Sequence, residues 1–224
     1  IDNLYNLDID SLEILPQIGD LVNLVYLNLS GQGFTGNIPS ELWNLVNLET
    51  LDLSHNPELT GSIPPEIGNL INLITLDLSM GNTYGGVSGQ GIIGNLSGPI
   101  PGEIGQLINL ELIDISFCHI SGPIPSEIGS LMNLRTLKLN GYPVNTVQPG
   151  YGPDQSNPGG IGNSLSGSIP PEIGNLANLE LLDLSSNALD GSLPEELWNL
   201  ASLTTLNLTN NQLSGNLSPG IENL

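Results

Sequence analysis

The sequence predicts an α/β repeat solenoid, with short parallel strands stacked along one face and short helical turns along the other. Three observations predict it. One frame opens at Leu21, Leu45, Leu70, Leu107, Leu131, Leu176 and Leu200, at intervals of 24, 25, 37, 24, 45 and 24 residues, and Leu224 stands 24 further on. Each unit runs Leu-x-x-Leu-x-Leu, an Asn-like position, Leu-x-Gly-x-Ile-Pro and then Glu-Ile-Gly-x-Leu. The first of these segments alternates apolar and polar residues with the period of a half-buried strand.

The unit from Leu176 to Leu200 shows why each element forms. Leu182 and Leu184 flank the polar Asp183, so one strand face is buried. Successive units bring such strands side by side, about 4.8 Å apart. Asn56, Asn187 and Asn211 fall just after the strand, where an amide satisfies backbone groups of neighbouring turns. The return segment, as in Pro125-Ser-Glu-Ile-Gly129, has proline at its start and glycine at its end, which predicts one turn of 3₁₀ or α-helix. Each unit supplies five or more Leu or Ile to a continuous core, at roughly 1.5 to 3 kcal/mol per buried side chain. No unit folds alone, but eight stacked together do.

These motifs resemble the plant-type leucine-rich repeat family, in which Leu-Ser-Gly-x-Ile-Pro follows the strand, and the resemblance covers essentially the whole chain. It implies a horseshoe or superhelix with a parallel β-sheet on the concave face and short 3₁₀ or helical turns on the convex face. It also implies the work of receptor-like ectodomains and polygalacturonase-inhibitor-like proteins, which is non-enzymatic recognition.

In chain order the single domain, residues 1–224, divides into about eight units: 1–20, 21–44, 45–69, 70–106, 107–130, 131–175, 176–199 and 200–224. The first is degenerate, with Leu4, Leu7 and Ile9 as its strand. Two units carry insertions, 80–94 and 141–162, rich in Gly, Pro and Tyr and bearing Asp154 as their one charge. Both depart immediately after the strand. They are therefore expected to project from the same edge and flank the unit 107–130, as binding loops, ordered flaps or tolerated insertions.

The charge balance, 23 acidic residues against 2 basic, gives a net −21. That excludes nucleic acid, whose binding requires Lys and Arg against phosphate, and it disfavours anionic membranes. No run of 18 apolar residues is present, so no membrane insertion is expected. The acidic start is no signal peptide, and a start without Met suggests a processed chain. The resembled family carries paired cysteines in its caps. Here Cys118, the single cysteine, falls at the Asn-ladder position and reads as buried and inert. Polar caps are not evident, so the ends are expected to be covered by further repeats or to self-associate.

No enzyme is expected and no cofactor or metal is called for. Gly31-Gln-Gly-Phe-Thr-Gly36 and Gly89-Gln-Gly-Ile-Ile-Gly94 match the dinucleotide G-x-G-x-x-G formally, but neither opens a helix in a βαβ unit. The histidines, His55 and His119, have no zinc or triad companions. Asn28, Asn95, Asn207 and Asn216 head glycosylation sequons, which a repeat rich in Asn, Leu and Ser generates on its own.

Binding candidates come from the outward strand positions. Asp8, Asn28, Asp52, Asp77, Asp114, Lys138, Asp183 and Asn207 are expected to form one column, and Tyr26, Thr50, Thr75, Leu112, Thr136 and Leu181 its neighbour. They either keep the concave face soluble or recognise a basic or hydroxyl-rich partner, assisted by Tyr84, Tyr142 and Tyr151 of the insertions. Arg135 and Lys138 share one strand, level with Glu111 and Glu180 and with Asp114 and Asp183, and are expected to relieve like-charge repulsion. Trp43 and Trp198 replace the convex glycine, either packing on the next turn or offering a lateral contact. The expected function is an extracellular or cell-surface recognition module for a protein, peptide or glycan. The alternative is a structural protein whose repeats associate end to end or laterally into fibres or a surface layer.

Overall fold

The computed structural model describes residues 12–80, 95–142 and 162–220. The strands are, in order, β1 (Leu12–Glu13), β2 (Tyr26–Asn28), β3 (Phe34–Asn37), β4 (Thr50–Asp52), β5 (Glu58–Gly61), β6 (Thr75–Asp77) and β7 (Asn95–Gly98). They continue as β8 (Leu112–Asp114), β9 (His119–Gly122), β10 (Thr136–Lys138), β11 (Ser164–Gly167), β12 (Leu181–Asp183), β13 (Ala188–Leu189) and β14 (Thr205–Asn207). The even-numbered strands form the seven-stranded parallel sheet expected on the concave face, one strand per unit. Its middle residues, Leu27, Leu51, Leu76, Ile113, Leu137 and Leu182, are buried, while their neighbours point outward.

The odd-numbered strands form a second parallel sheet of seven that the periodicity does not reveal. Its segments, such as Leu165-Ser-Gly167, are too short and too rich in glycine to show alternation. Pairing with the same segment of the next unit makes them strands. Each unit then returns through a five-residue 3₁₀ turn, for example Pro65–Asn69 or Ser126–Ser130. Proline stands at or just before the first turn position, where its fixed φ fits and its missing N–H is not needed.

The core runs the length of the solenoid. In the unit 45–69 alone, Leu45, Leu48, Leu51, Leu53, Leu59, Ile63 and Ile67 are buried. Among the polar residues inside it are the ladder asparagines. Asn56 Nδ2 donates to the carbonyls of Leu29 and Leu53, while its Oδ1 accepts from the backbone N–H groups of Gln32 and Phe34. Asn187 and Asn211 repeat the arrangement. Cys118 holds the equivalent place in its unit, its thiol donating to the Leu78 carbonyl at 3.3 Å. Burial, and then the carboxylates of Asp114 and Asp77, push that thiol well above its ordinary pKa, so it is inert as expected.

Trp43 and Trp198 settle between the alternatives left open for them. Both are buried, 2% and 3% exposed, and so offer no lateral contact surface. In other units the convex glycine lies against the following turn. A Cβ on Gly129 would fall 2.4 Å from the Glu172 carbonyl oxygen, so an indole fits only where the turns spread. The expected first strand, Leu4 to Ile9, lies outside the described residues.

Candidate ligand-binding face

Strand register places the outward residues in two columns. Asn28, Asp52, Asp77, Asp114, Lys138, Asp183 and Asn207 follow one another across β2 to β14, beside Tyr26, Thr50, Thr75, Leu112, Thr136, Leu181 and Thr205. Asp8 lies outside the described residues. Tyr26 is exposed, whereas Thr50, Thr75, Leu112, Thr136 and Leu181 are half-buried.

The carboxylates and amides of the column first serve their own turns. Oδ1 of Asp77, Asp114 and Asp183 accepts from both the backbone N–H and the hydroxyl of the serine two residues on, Ser79, Ser116 and Ser185. Asn28 and Asn207 do the same with Ser30 and Thr209. This closes the chain after the strand, as a short acceptor side chain does in an Asx turn.

The second oxygen of each carboxylate distinguishes the units. Asn28 Nδ2 donates to Asp52 Oδ2 at 2.8 Å, and Asn207 Nδ2 to Asp183 Oδ2 at 3.1 Å. Lys138 Nζ sits 3.2 Å from Asp114 Oδ2. Asp77 Oδ2 has no such donor among the described residues. Burial raises the Asp77 pKa, the carboxylates of Asp114 and Asp52 on either side add to the rise, and the Ser79 hydrogen bonds oppose it. Asp114 itself is buried, with both oxygens engaged.

Arg135 pairs with Glu180 at 2.5 Å, both side chains about half exposed, rather than with Glu111. The two basic residues therefore neutralise carboxylates of neighbouring strands. Among the described residues no group of three or more His, Cys, Asp or Glu could hold a metal ion. Gly31, Gly33 and Gly36 take left-handed φ values of 65°, 76° and 74° around β3, and they lead into that strand and not into an α-helix that could receive a phosphate.

The two insertions depart at the ends of β6 and β10, on either side of β8. Their anchors belong to the solenoid. Met80 is buried and its N–H donates to the Ser116 carbonyl, while Gly141 N–H donates to that of Ser185. Tyr142 packs on Phe117 of the intervening unit, ring centroids 4.7 Å apart. Tyr84 and Tyr151 lie outside the described residues. Phe117, in the left-handed region at φ 60°, and Asn163, the ladder asparagine beyond the second insertion, were not singled out from sequence. Asn163-Ser-Leu165 does match Asn187-Ala-Leu189, two residues before the repeat leucine, and that spacing was available.

The family model of a leucine-rich repeat region matches residues 3–140, and that of a leucine rich repeat matches residues 161–213. The chain belongs to the leucine-rich repeat family. Among curated protein sequences none matches significantly. Solved structures do. The leucine-rich repeat ectodomain of the Arabidopsis thaliana receptor kinase GASSHO1/SCHENGEN3, in complex with CASPARIAN STRIP INTEGRITY FACTOR 2, is 34% identical with a TM-score of 0.66, over 96% of this chain and 24% of that one. The ectodomain of the Arabidopsis receptor kinase HAESA, in complex with an IDA peptide hormone ligand, is 32% identical with a TM-score of 0.74, over 95% and 30%. A leucine-rich repeat protein of Leptospira interrogans is also 32% identical, with a TM-score of 0.66, over 94% and 43%. The chain thus spans less than half the length of these relatives. Within the described residues no helix is long and apolar enough to cross a membrane.

Proposed function

We propose that this leucine-rich repeat protein is a non-enzymatic recognition module, extracellular or at the cell surface, that holds a protein or peptide segment against its concave sheet. The observation that carries the reading is the Asp77 carboxylate. Its Oδ2 lacks the donor that Asp52, Asp114 and Asp183 each receive from a neighbouring strand. A Lys or Arg of a ligand would supply that donor and relieve the repulsion between Asp77 and the flanking carboxylates. Around it, Thr50, Thr75 and Thr136 offer hydroxyls, and Leu112 and Leu181 apolar contact. Tyr142, packed on Phe117, and Tyr84 and Tyr151 of the insertions would extend the contact. Support also comes from the receptor ectodomain of similar sequence whose structure holds a peptide hormone.

The test is selection of a displayed random peptide library on the immobilised protein. Recovered peptides should carry a Lys or Arg, and Asp77→Asn and Thr75→Trp should each weaken them about tenfold or more. Peptides without basic residues that ignore both substitutions would sink the proposal. So would regular filaments of the unliganded protein by negative-stain imaging, which would make self-association the function.

A further inference from the structure

The edge of the solenoid at the start of the concave strands carries a surface that the concave face does not use. Four residues before each strand stand Val22, Val46, Ile71, Ile108 and Met132, which are 53%, 44%, 54%, 57% and 64% exposed. Their backbones are stitched together. The asparagine of each following unit, from Asn47 to Asn178, donates through Nδ2 to the carbonyl oxygen of the column residue before it, at 2.8 to 3.0 Å. The equivalent residues of the next two units are Ala177 and Ala201, so the large apolar surface ends at Met132.

None of these side chains belongs to the core, which the adjacent Leu45, Leu70, Leu107 and Leu131 fill. They stand on successive units as a row of about half-exposed apolar side chains, and exposed apolar surface gathered in one place marks an interaction site. Charge indicates what covers it. The next row along the same edge, joined by backbone hydrogen bonds from Glu49 to Val25, Ile74 to Glu49 and Glu111 to Ile74, alternates apolar and acidic residues from Val25 to Glu111 and then continues to Arg135, whose guanidinium is taken up by Glu180. Glu49 and Glu111 are exposed and form no ion pair among the described residues. A second copy, itself at −21, would bring like charge against like. Pitch indicates the shape of the partner. Units stack about 4.8 Å apart, close to the 5.4 Å turn of an α-helix. An extended strand presents same-face residues only every 6.6 Å or so. Five rungs span about 19 Å, the length of roughly 13 helical residues.

We propose that this edge docks an amphipathic helix of a protein partner. Its apolar face lies along Val22 to Met132, and its Lys or Arg residues meet Glu49 and Glu111. The interface is separate from the concave face and does not depend on what that face binds.

The test uses a fluorescently labelled helix of about 15 residues, with leucines at i, i+3, i+4 and i+7 and lysines elsewhere. A permuted peptide of identical composition serves as the comparison. Binding is read by anisotropy on the wild type, on Ile71→Ser/Ile108→Ser, whose exposed positions leave the core intact, and on Asp77→Asn; circular dichroism confirms each fold. The ordered peptide should bind about tenfold or more tighter than the permuted one. The double variant should lose that margin, and Asp77→Asn should keep it. Equal binding of both peptides, or no loss in the double variant, would reduce the contact to charge alone and overturn the proposal. A dimer in sedimentation that the double variant abolishes would overturn it too, by assigning the strip to a second copy.

Discussion

Asn163 Nδ2 donates to the carbonyl oxygen of Ile115 at 2.7 Å, reaching 48 residues back and across the second insertion into the preceding unit. The same amide nitrogen bonds the Leu139 carbonyl at 3.0 Å, and its oxygen accepts from the Ile120 N–H at 3.0 Å. One buried side chain thus ties the two ends of an interrupted unit to each other and to the unit before. Asn163→Ala leaves those backbone groups buried without a partner, at about 1 to 3 kcal/mol for each group unsatisfied. A loss of about 3 kcal/mol or more in urea unfolding is the expected result. A change under about 1 kcal/mol would mean that water replaces the amide and that the ladder is not what holds this unit together.

The second insertion constrains glycine as well. Gly141 packs so closely that an added Cβ would lie 2.2 Å from the Ser186 carbonyl oxygen and 2.7 Å from that of Asn163. Both contacts are backbone and cannot swing aside. Gly141→Ala is expected to cost about 2 kcal/mol or more, as overpacking against rigid neighbours does, and to lower the melting temperature by several degrees. A melting temperature equal to wild type would show that the edge at β10 yields freely.

The repeat was legible in sequence because each stacked position is written many times over. A leucine that recurs seven times at the same place identifies a core that any one copy would leave ambiguous. The concave columns, the 3₁₀ turns, the buried thiol and the relief of charge by Arg135 and Lys138 all follow from that frame. What was not legible depends on contacts between units. The second sheet is made by pairing of segments too short to carry a pattern, and the burial of Trp43 depends on how far neighbouring turns spread. That Asp77, among the described carboxylates of the column, lacks a second donor depends on which neighbour bears an amide or ammonium group, and this emerges only once register is set.

Asp77 links the candidate site to pH. Its folded pKa is raised, first by burial and then by Asp114 and Asp52, so the ionised form is less favourable in the folded chain than in the unfolded one. The stabilising contribution is present at pH below the ordinary carboxylate value and is lost as pH rises through the raised one. Asp77→Asn keeps an acceptor for Ser79, as Asn28 keeps one for Ser30, and removes the charge. The variant is expected to be more stable than wild type at pH 7, and the difference should shrink as pH falls through the carboxylate range. Equal melting temperatures of the two proteins at pH 7 would show that the Ser79 hydrogen bonds offset burial.

The two basic residues should separate sharply when removed. Arg135 and Glu180 are 56% and 50% exposed, and such pairs contribute roughly 0 to 1 kcal/mol and are screened by salt. Lys138 faces Asp114, whose side chain is only 11% exposed. Losing that partner leaves a carboxylate with little access to water next to the already strained Asp77. Lys138→Met, which keeps the aliphatic stem, is expected to cost about 2 kcal/mol or more at pH 7, against under about 1 kcal/mol for Arg135→Ala. Adding Asp114→Asn to Lys138→Met should restore most of the loss, because the amide needs no counter-ion and still accepts from Ser116. If the double variant is no more stable than Lys138→Met alone, then packing of the lysine stem, and not its charge, is what β10 contributes to the face.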